Sequence, residues 1–509
     1  MNKIEIDGET LTIKDIVQTA RNNCQVFISE KAKNRVNESR RTLEKLIEAG
    51  HTIYGVNTGF GELSCFRISE QEAKQLQVNL IRSHSAGVGD PLPTEIVRAT
   101  MLLRANTLAK GYSGIRFSTL ETLVEMLNKS VHPIIPSRGS VGASGDLAPL
   151  SHMILVLIGE GIAEYQGKIT DGKTAMRKAG IKPVDLEYKE GLALNNGTQM
   201  MTAMAALLVH DSENLIDAAE TAAALSLEAL LGISDAFDER IQNVRPHSGQ
   251  KATAAIIRRL VEGSRLVRTG TEATEQKQRP HDPYSLRCVP QVHGAARDAV
   301  AWVRKIIQTE INSATDNPLV FPDDEVCISG GNFHGQPIAL ALDTLGIALV
   351  MIGNISERRT ARLLDDKLNS GLPSFLIPRG KKKGLHSGLM TAQYTAVALA
   401  SENKALAHPA CVDSIPTSAG FEDFVSMGPT AGHKTLQILR NTEYIIAIEL
   451  LCASQAVEFR NPNKLGKGTL AAYDKVREVI PIVREDRVLS GDIEQARKIV
   501  REGFNCSFD

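Results

Sequence analysis

A chain of 509 residues is long enough to bury a large apolar core, and length alone suggests two to four domains. Lys and Arg number 58 against 59 Asp and Glu, a formal net charge of -1, so nothing in the charge balance points to nucleic acid or to an anionic membrane surface. The 7 cysteines are spread widely without a CxxC pair, which argues against a disulfide framework or a zinc ribbon and fits a reducing cytoplasm.

The opening MNKIEIDGETLTIKDI has neither the apolar core nor the small-residue cleavage site of a signal peptide. Alternation in IEI and LTI around Asp7 and Gly8 predicts a small hairpin. Beyond residue 60 most of the chain reads as helix, with strand signals reduced to short pieces such as LVF near 319. Residues 201–233 carry two helical patterns in tandem. Residues 337–366 are apolar on nearly every face through their first half, the pattern of a helix at the centre of a bundle; Asp343 breaks the run, which falls short of a membrane span. Further helices are predicted over 391–407 and 441–459. The basic run RGKKKG at 379–384, flanked by glycines and free of aromatics, reads as a solvated loop. No fixed-period repeat occurs. The expected fold is mainly α: a long central helix bundle (201–509) with a smaller, loop-rich N-terminal part (1–200) containing short strands.

Glycine and proline clusters punctuate the helices at 54–64, 136–152, 281–294, 316–335 and 413–424, and the polar and aromatic residues gather there. Loops on a rigid helical scaffold are where chemistry is usually placed. The second cluster, PSRGSVGASGDLAPLSH, spaces Gly139, Gly142 and Gly145 three apart. It is not a GxGxxG or GxxxxGK[ST] phosphate loop, and Asp146 stands where a nucleophile elbow needs glycine. No HExxH occurs, and the histidines lack metal-ligand spacing. Three glycines do permit a tight, buried curve in which the Gly145 nitrogen approaches the Ala143 carbonyl carbon. Closure there, with loss of one water, followed by elimination of the Ser144 hydroxyl as a second, would leave a methylidene-imidazolone electrophile. On the residues alone, a plain glycine loop or helix cap is the favoured reading.

The stretch resembles the signature of the aromatic amino acid ammonia-lyases, in which an Ala-Ser-Gly triad condenses into that ring, called MIO. The resemblance extends through YGVNTGFGEL, LALNNGTQ, DPYSLRCVPQV, SATDNPL, GGNFHGQP and DSIPTSA, in the family's order, over about residues 50–430. It implies MIO formed from Ala143, Ser144 and Gly145, with no metal or external cofactor. It implies Tyr54 as the base for the β-hydrogen, Asn196 as a partner of the ring and the substrate amine, Tyr284 as a second pocket tyrosine, and Arg287 as the fork that meets the substrate carboxylate. A free tyrosine titrates near 10, so work near neutrality needs about 4 kcal/mol of local electrostatics, expected from Arg287 and helix N-termini. Phe333, with Asn332 beside it, is implied as a pocket wall.

Ser83 and His84 fall where the family sets ring selectivity and resemble its histidine-specific members; Glu422 matches a carboxylate facing the far side of the ring. A phenyl ring would leave such a carboxylate unpaired at a cost of several kcal/mol, whereas an imidazole satisfies it. The resemblance therefore implies elimination of ammonia from L-histidine to trans-urocanate. A tyrosine or phenylalanine ammonia-lyase, an aminomutase and a non-catalytic helical scaffold are the alternatives. Three departures stand out: Asn195 where relatives are apolar, His281 where glutamine is usual and able to retune carboxylate binding, and GFEDF after the last loop. Relatives imply a homotetramer with active sites shared between subunits; cysteine usage and charge lead to the expectation of a cytoplasmic chain without nucleic acid or membrane partners.

Overall fold

The computed structural model describes residues 3–275, 280–378, 380–382 and 384–504. Helices dominate it, as the periodicity predicts. Where the N-terminal hairpin is expected, only Lys3–Ile6 is a strand, and it pairs in parallel with Gln25–Ile28. The LTI segment does not pair because Thr12 caps a helix instead: its side chain accepts from the Asp15 N–H while Asp15 returns a bond to the Thr12 backbone. Asp7 closes the intervening turn by accepting from the Glu9 and Thr10 N–H groups.

Residues 201–233, expected as two helices, form one, Gln199–Ala229, because the polar segment at its middle holds no glycine or proline to break it. The helix expected over 441–459 begins much earlier, as Gly428–Val457, since Pro429 falls in the first turn, where its missing N–H costs nothing. Gln336–Leu364 is long and apolar enough to cross a membrane, but 67% of its most apolar window is buried inside the fold. Its Asp343 is not a flaw in a span: the carboxylate accepts from the Ala410 and Cys411 N–H groups. In the basic run, Lys381 meets Glu485 at 2.5 Å, while Arg379 and Lys383 lie outside the described residues.

The chain forms two compact units that interleave in sequence. The first comprises residues 1–210, 304–343 and 409–433, and the second 211–303, 344–408 and 434–509. The expected division at 200 thus lies close to one boundary, but the first unit also takes in two later segments. In the first unit, Thr94–Ala109 is buried from Ile96 onward on every face, its Arg98 and Arg104 included. In the same unit, Glu70–His84, Leu147–Leu157 and Glu190–Asn195 pack on one another and hold the ends that carry the site. The second unit buries the ion pair Arg359–Glu449 at 2.6 Å, with Ser226 and Ser356 donating to the same carboxylate, so the buried charges are fully hydrogen-bonded.

Candidate active site

The glycine spacing at 139–145 folds into the bend it permits. Gly142 and Gly145 adopt φ of +68° and +74°, and a Cβ at Gly145 would lie 2.1 Å from the Gly197 oxygen, so only glycine fits there. The bend is held from outside itself. Asp146 N–H donates to Gly197 O (2.7 Å) and Met427 N–H to Val141 O (2.8 Å), and the Ser426 hydroxyl donates to Gly142 O (2.8 Å). Leu147–Leu157 starts immediately afterwards, which puts the triad at a helix N-terminus.

Two side chains converge on Ser144. Its hydroxyl donates to Oε1 of Glu422 at 2.6 Å, and its carbonyl accepts from Nδ2 of Asn196 at 2.9 Å. Asn196 is placed by the short helix Glu190–Asn195, which it terminates. Glu422 is fixed by its own loop: the Thr417 hydroxyl donates to Oε2 (2.7 Å), and the two residues pair through their backbones.

Ser144 and Asn196 share a cavity of about 910 Å³ with Tyr54, Ser83, His84, Phe333 and Glu422, all within the first unit. Phe60, Leu80 and Phe424 contribute apolar wall. The Tyr54 hydroxyl accepts from the Gly61 N–H at 3.0 Å, with Phe60 edge-on to its ring at 6.4 Å. Burial pushes the Tyr54 phenol above its usual range; the Gly61 N–H opposes this and the Glu422 charge adds to it. The direction is opposite to the expected one because no cation among the described residues acts on the phenol. At the end of Glu70–His84, Ser83 Oγ donates to Leu80 O (3.1 Å) and lies 3.1 Å from His84 Nδ1. Burial lowers His84, against weaker pulls from the Leu80 carbonyl and Glu422, so a neutral imidazole faces the cavity at neutral pH.

Other expected site residues lie elsewhere. Asn332 is not among the lining: it is exposed, and its amide donates to Ala314 O at 3.5 Å while Phe333 and His334 enter the cavity. His281, Tyr284 and Arg287 belong to the second unit. Tyr284 is 70% exposed, and the Arg287 guanidinium rests over its ring at 4.8 Å. The polar Asn195 is buried and donates to the Ser151 hydroxyl at 3.2 Å, away from the lining, which accounts for one departure. Asp146 was not singled out as a functional residue from the sequence. It is fully buried, accepts from the Met201 N–H (2.9 Å) and the Ser140 hydroxyl (3.1 Å), and is pushed up to about 7 by burial. Its position directly after the triad was the available signal.

Residues 11–478 match the aromatic amino acid lyase family. The chain belongs to that family. It is 54% identical to the histidine ammonia-lyase of Caldanaerobacter subterraneus subsp. tengcongensis over 503 residues, covering 99% of this chain and 97% of that one. It is also 54% identical to the enzyme of the same name from Alkaliphilus oremlandii, with the same coverage. Among solved structures, the histidine ammonia-lyase of Trypanosoma cruzi matches with a TM-score of 0.90 at 41% identity, covering 98% of this chain and 94% of that one. The tyrosine aminomutase of Streptomyces globisporus matches with a TM-score of 0.95 at 38% identity, covering 99% and 97%.

Proposed function

We propose that this protein is a carbon–nitrogen lyase that eliminates ammonia from L-histidine to give trans-urocanate. The observation that carries the reading is the meeting of Ser144, Asn196, Tyr54, His84 and Glu422 in one cavity. The relatives named histidine ammonia-lyase support the substrate.

The residues fit an MIO ring made from Ala143, Ser144 and Gly145. Glycine is obligatory at 145, and Asn196 already donates to the carbonyl that would become the ring's own. Once formed, the ring would supply an electron-poor methylidene carbon for the substrate amine, the chemistry that would make its nitrogen a group able to leave as ammonia. The side chains do the rest. Tyr54, as phenolate, removes the β-hydrogen whose electron pair becomes the new double bond. Asn196 holds the triad's carbonyl. His84 and Glu422 form the polar end that receives the imidazole. Because Oε1 of Glu422 is engaged by the Ser144 hydroxyl, loss of that hydroxyl in ring formation frees the carboxylate for substrate.

Tyr284, Arg287 and His281 complete the site in a homotetramer, contributed by a neighbouring copy. The exposure of Tyr284, and of apolar residues such as Leu340 and Ile347 at 48% and 42%, supports assembly. Cys24, Cys65, Cys288, Cys327 and Cys452 form no disulfide among the described residues, which supports a cytoplasmic setting.

Two measurements test the reading. The intact mass should fall short of the sequence mass by two waters, and L-histidine should produce the ultraviolet absorbance of a conjugated acrylate. A full mass, absorbance growth only with L-tyrosine or L-phenylalanine, or a β-amino acid product without free ammonia would overturn it.

A further inference from the structure

Arg104 sits in the middle of the buried helix Thr94–Ala109 and has no exposed surface. Its partners are unusual for a buried arginine. Nη1 donates to the Asn196 backbone oxygen at 2.8 Å and to Oε1 of Gln199 at 2.8 Å, while Nε and Nη2 have no partner among the described residues. The nearby carboxylate, Asp316, is bonded to Lys189 at 2.7 Å instead. A guanidinium buried for structure alone is normally met by a carboxylate, as Arg359 is by Glu449; leaving three N–H groups unspent in the interior is costly. Such an expense is usually tolerated where it serves a site.

The segment that Arg104 grips is the one that touches the triad. The Asn196 side-chain amide donates to the Ser144 carbonyl, and the next residue, Gly197, accepts from the Asp146 N–H at 2.7 Å. A Cβ on Gly197 would come within 2.6 Å of Arg104 Nη1 and 2.3 Å of the Thr315 oxygen, so this backbone is clamped between the guanidinium on one side and the bend on the other. Burial lowers Arg104 only to about 10, against a smaller raising effect of Asp316, so the clamp is a full cation at neutral pH.

We propose that Arg104 is a positioning residue for the reaction: its guanidinium fixes the Asn196 main chain so that the Asn196 amide stays on the Ser144 carbonyl. The inference rests on the reading of Ser144 as part of the MIO ring. Arg104 does not touch the triad and is not itself part of the cavity lining; it acts through Asn196, which is.

The test uses the full-length protein with Arg104→Met, Arg104→Lys, Asn196→Ala and the Arg104→Met/Asn196→Ala double variant. Each is measured for intact mass, for the ultraviolet band of the ring, and for kcat and KM with L-histidine. All four should lack two waters. Arg104→Met should lower kcat by about 10- to 100-fold, the cost of a misplaced group, with KM close to wild type and the band displaced. On the Asn196→Ala background the same change should cost little more, because the residue through which Arg104 acts is already gone. Arg104→Lys keeps the charge, but its rotatable ammonium lacks the rigid planar group that fixes Nη1 on both acceptors, so its kcat should fall between wild type and Arg104→Met. Additive losses in the double variant overturn the proposal. So does a folded Arg104 variant that keeps its two waters, since Arg104 would then act on ring formation. If Arg104→Met does not fold, Arg104→Lys decides: wild-type kcat and band in that variant overturn the proposal. Two waters still present in the wild-type protein would instead defeat the underlying ring reading, which separates the two failures.

Discussion

One Cβ at residue 145 decides whether the electrophile can form. Gly145→Ala places a methyl 2.1 Å from the Gly197 oxygen at a positive φ, so the bend must open, at a cost of about 1–3 kcal/mol. The variant should retain both waters in its intact mass and show no turnover. Ser144→Ala is milder: it removes the hydroxyl but suits the backbone, so circular dichroism should report an unchanged helical fold while turnover is nearly abolished. Tyr54→Phe leaves the triad untouched and should keep the two-water deficit while kcat falls about 10²–10⁴-fold, the range of a lost general base. These residues could be picked out from sequence only through the resemblance of the motifs around them, since on the residues alone a plain glycine loop is the favoured reading. Arg104 could not be, since an arginine in a helix reads as surface until its burial is known. Asn332 lies next to Phe333 in sequence, yet it is exposed and outside the cavity lining, its amide spent on Ala314 O.

Among the elements, Leu147–Leu157 ties stability to the site through Asp146, its N-cap residue. Burial raises this carboxyl from 3.8 to about 7, outweighing the Met201 and Ser140 hydrogen bonds. A carboxyl whose folded pKa lies above its unfolded value binds more protons folded, so its contribution is fully present below about pH 4 and is lost as pH rises through 7. The shift of about 3 units corresponds to about 4 kcal/mol. Asp146→Asn imitates the protonated acid, so thermal melts between pH 5 and 8 should show a smaller fall in Tm for the variant than for the wild type; parallel curves would contradict the linkage. The helices themselves were readable from apolar periodicity, and their ends less so. The LTI segment alternates as a strand would, but Thr12 and Asp15 form a capping box that claims it for helix. Gly428–Val457 starts early because proline in a first turn is no barrier. Such outcomes turn on single hydrogen bonds that periodicity does not encode.

For the whole molecule, the phenol of Tyr54 supplies the argument for assembly. As the proposed base, Tyr54 would have to act as phenolate, yet burial and the Glu422 charge both hold it above its ordinary pKa, and only the Gly61 N–H favours ionisation. Among the described residues no cation offsets them; Arg287, in the second unit, stacks on the exposed Tyr284. A neighbouring copy that brought Arg287 to the cavity would lower the phenol by opposite charge. Gln336–Leu364 carries an exposed apolar pair, Leu340 and Ile347, seven residues apart and so on one helix face, suited to being covered by another chain. The double variant Leu340→Glu/Ile347→Glu puts two carboxylates on that face, which desolvation and like-charge repulsion exclude from an apolar interface. Light scattering after size exclusion should report a smaller species than wild type, with the two-water deficit retained because the triad lies wholly in the first unit. Its kcat/KM for L-histidine should fall, and the acidic limb of the pH profile should move to higher pH, because the phenol loses its cation and needs more base to ionise. A variant that is smaller but keeps the wild-type profile would show that Tyr54 is tuned within one chain, and the shared-site arrangement would be wrong.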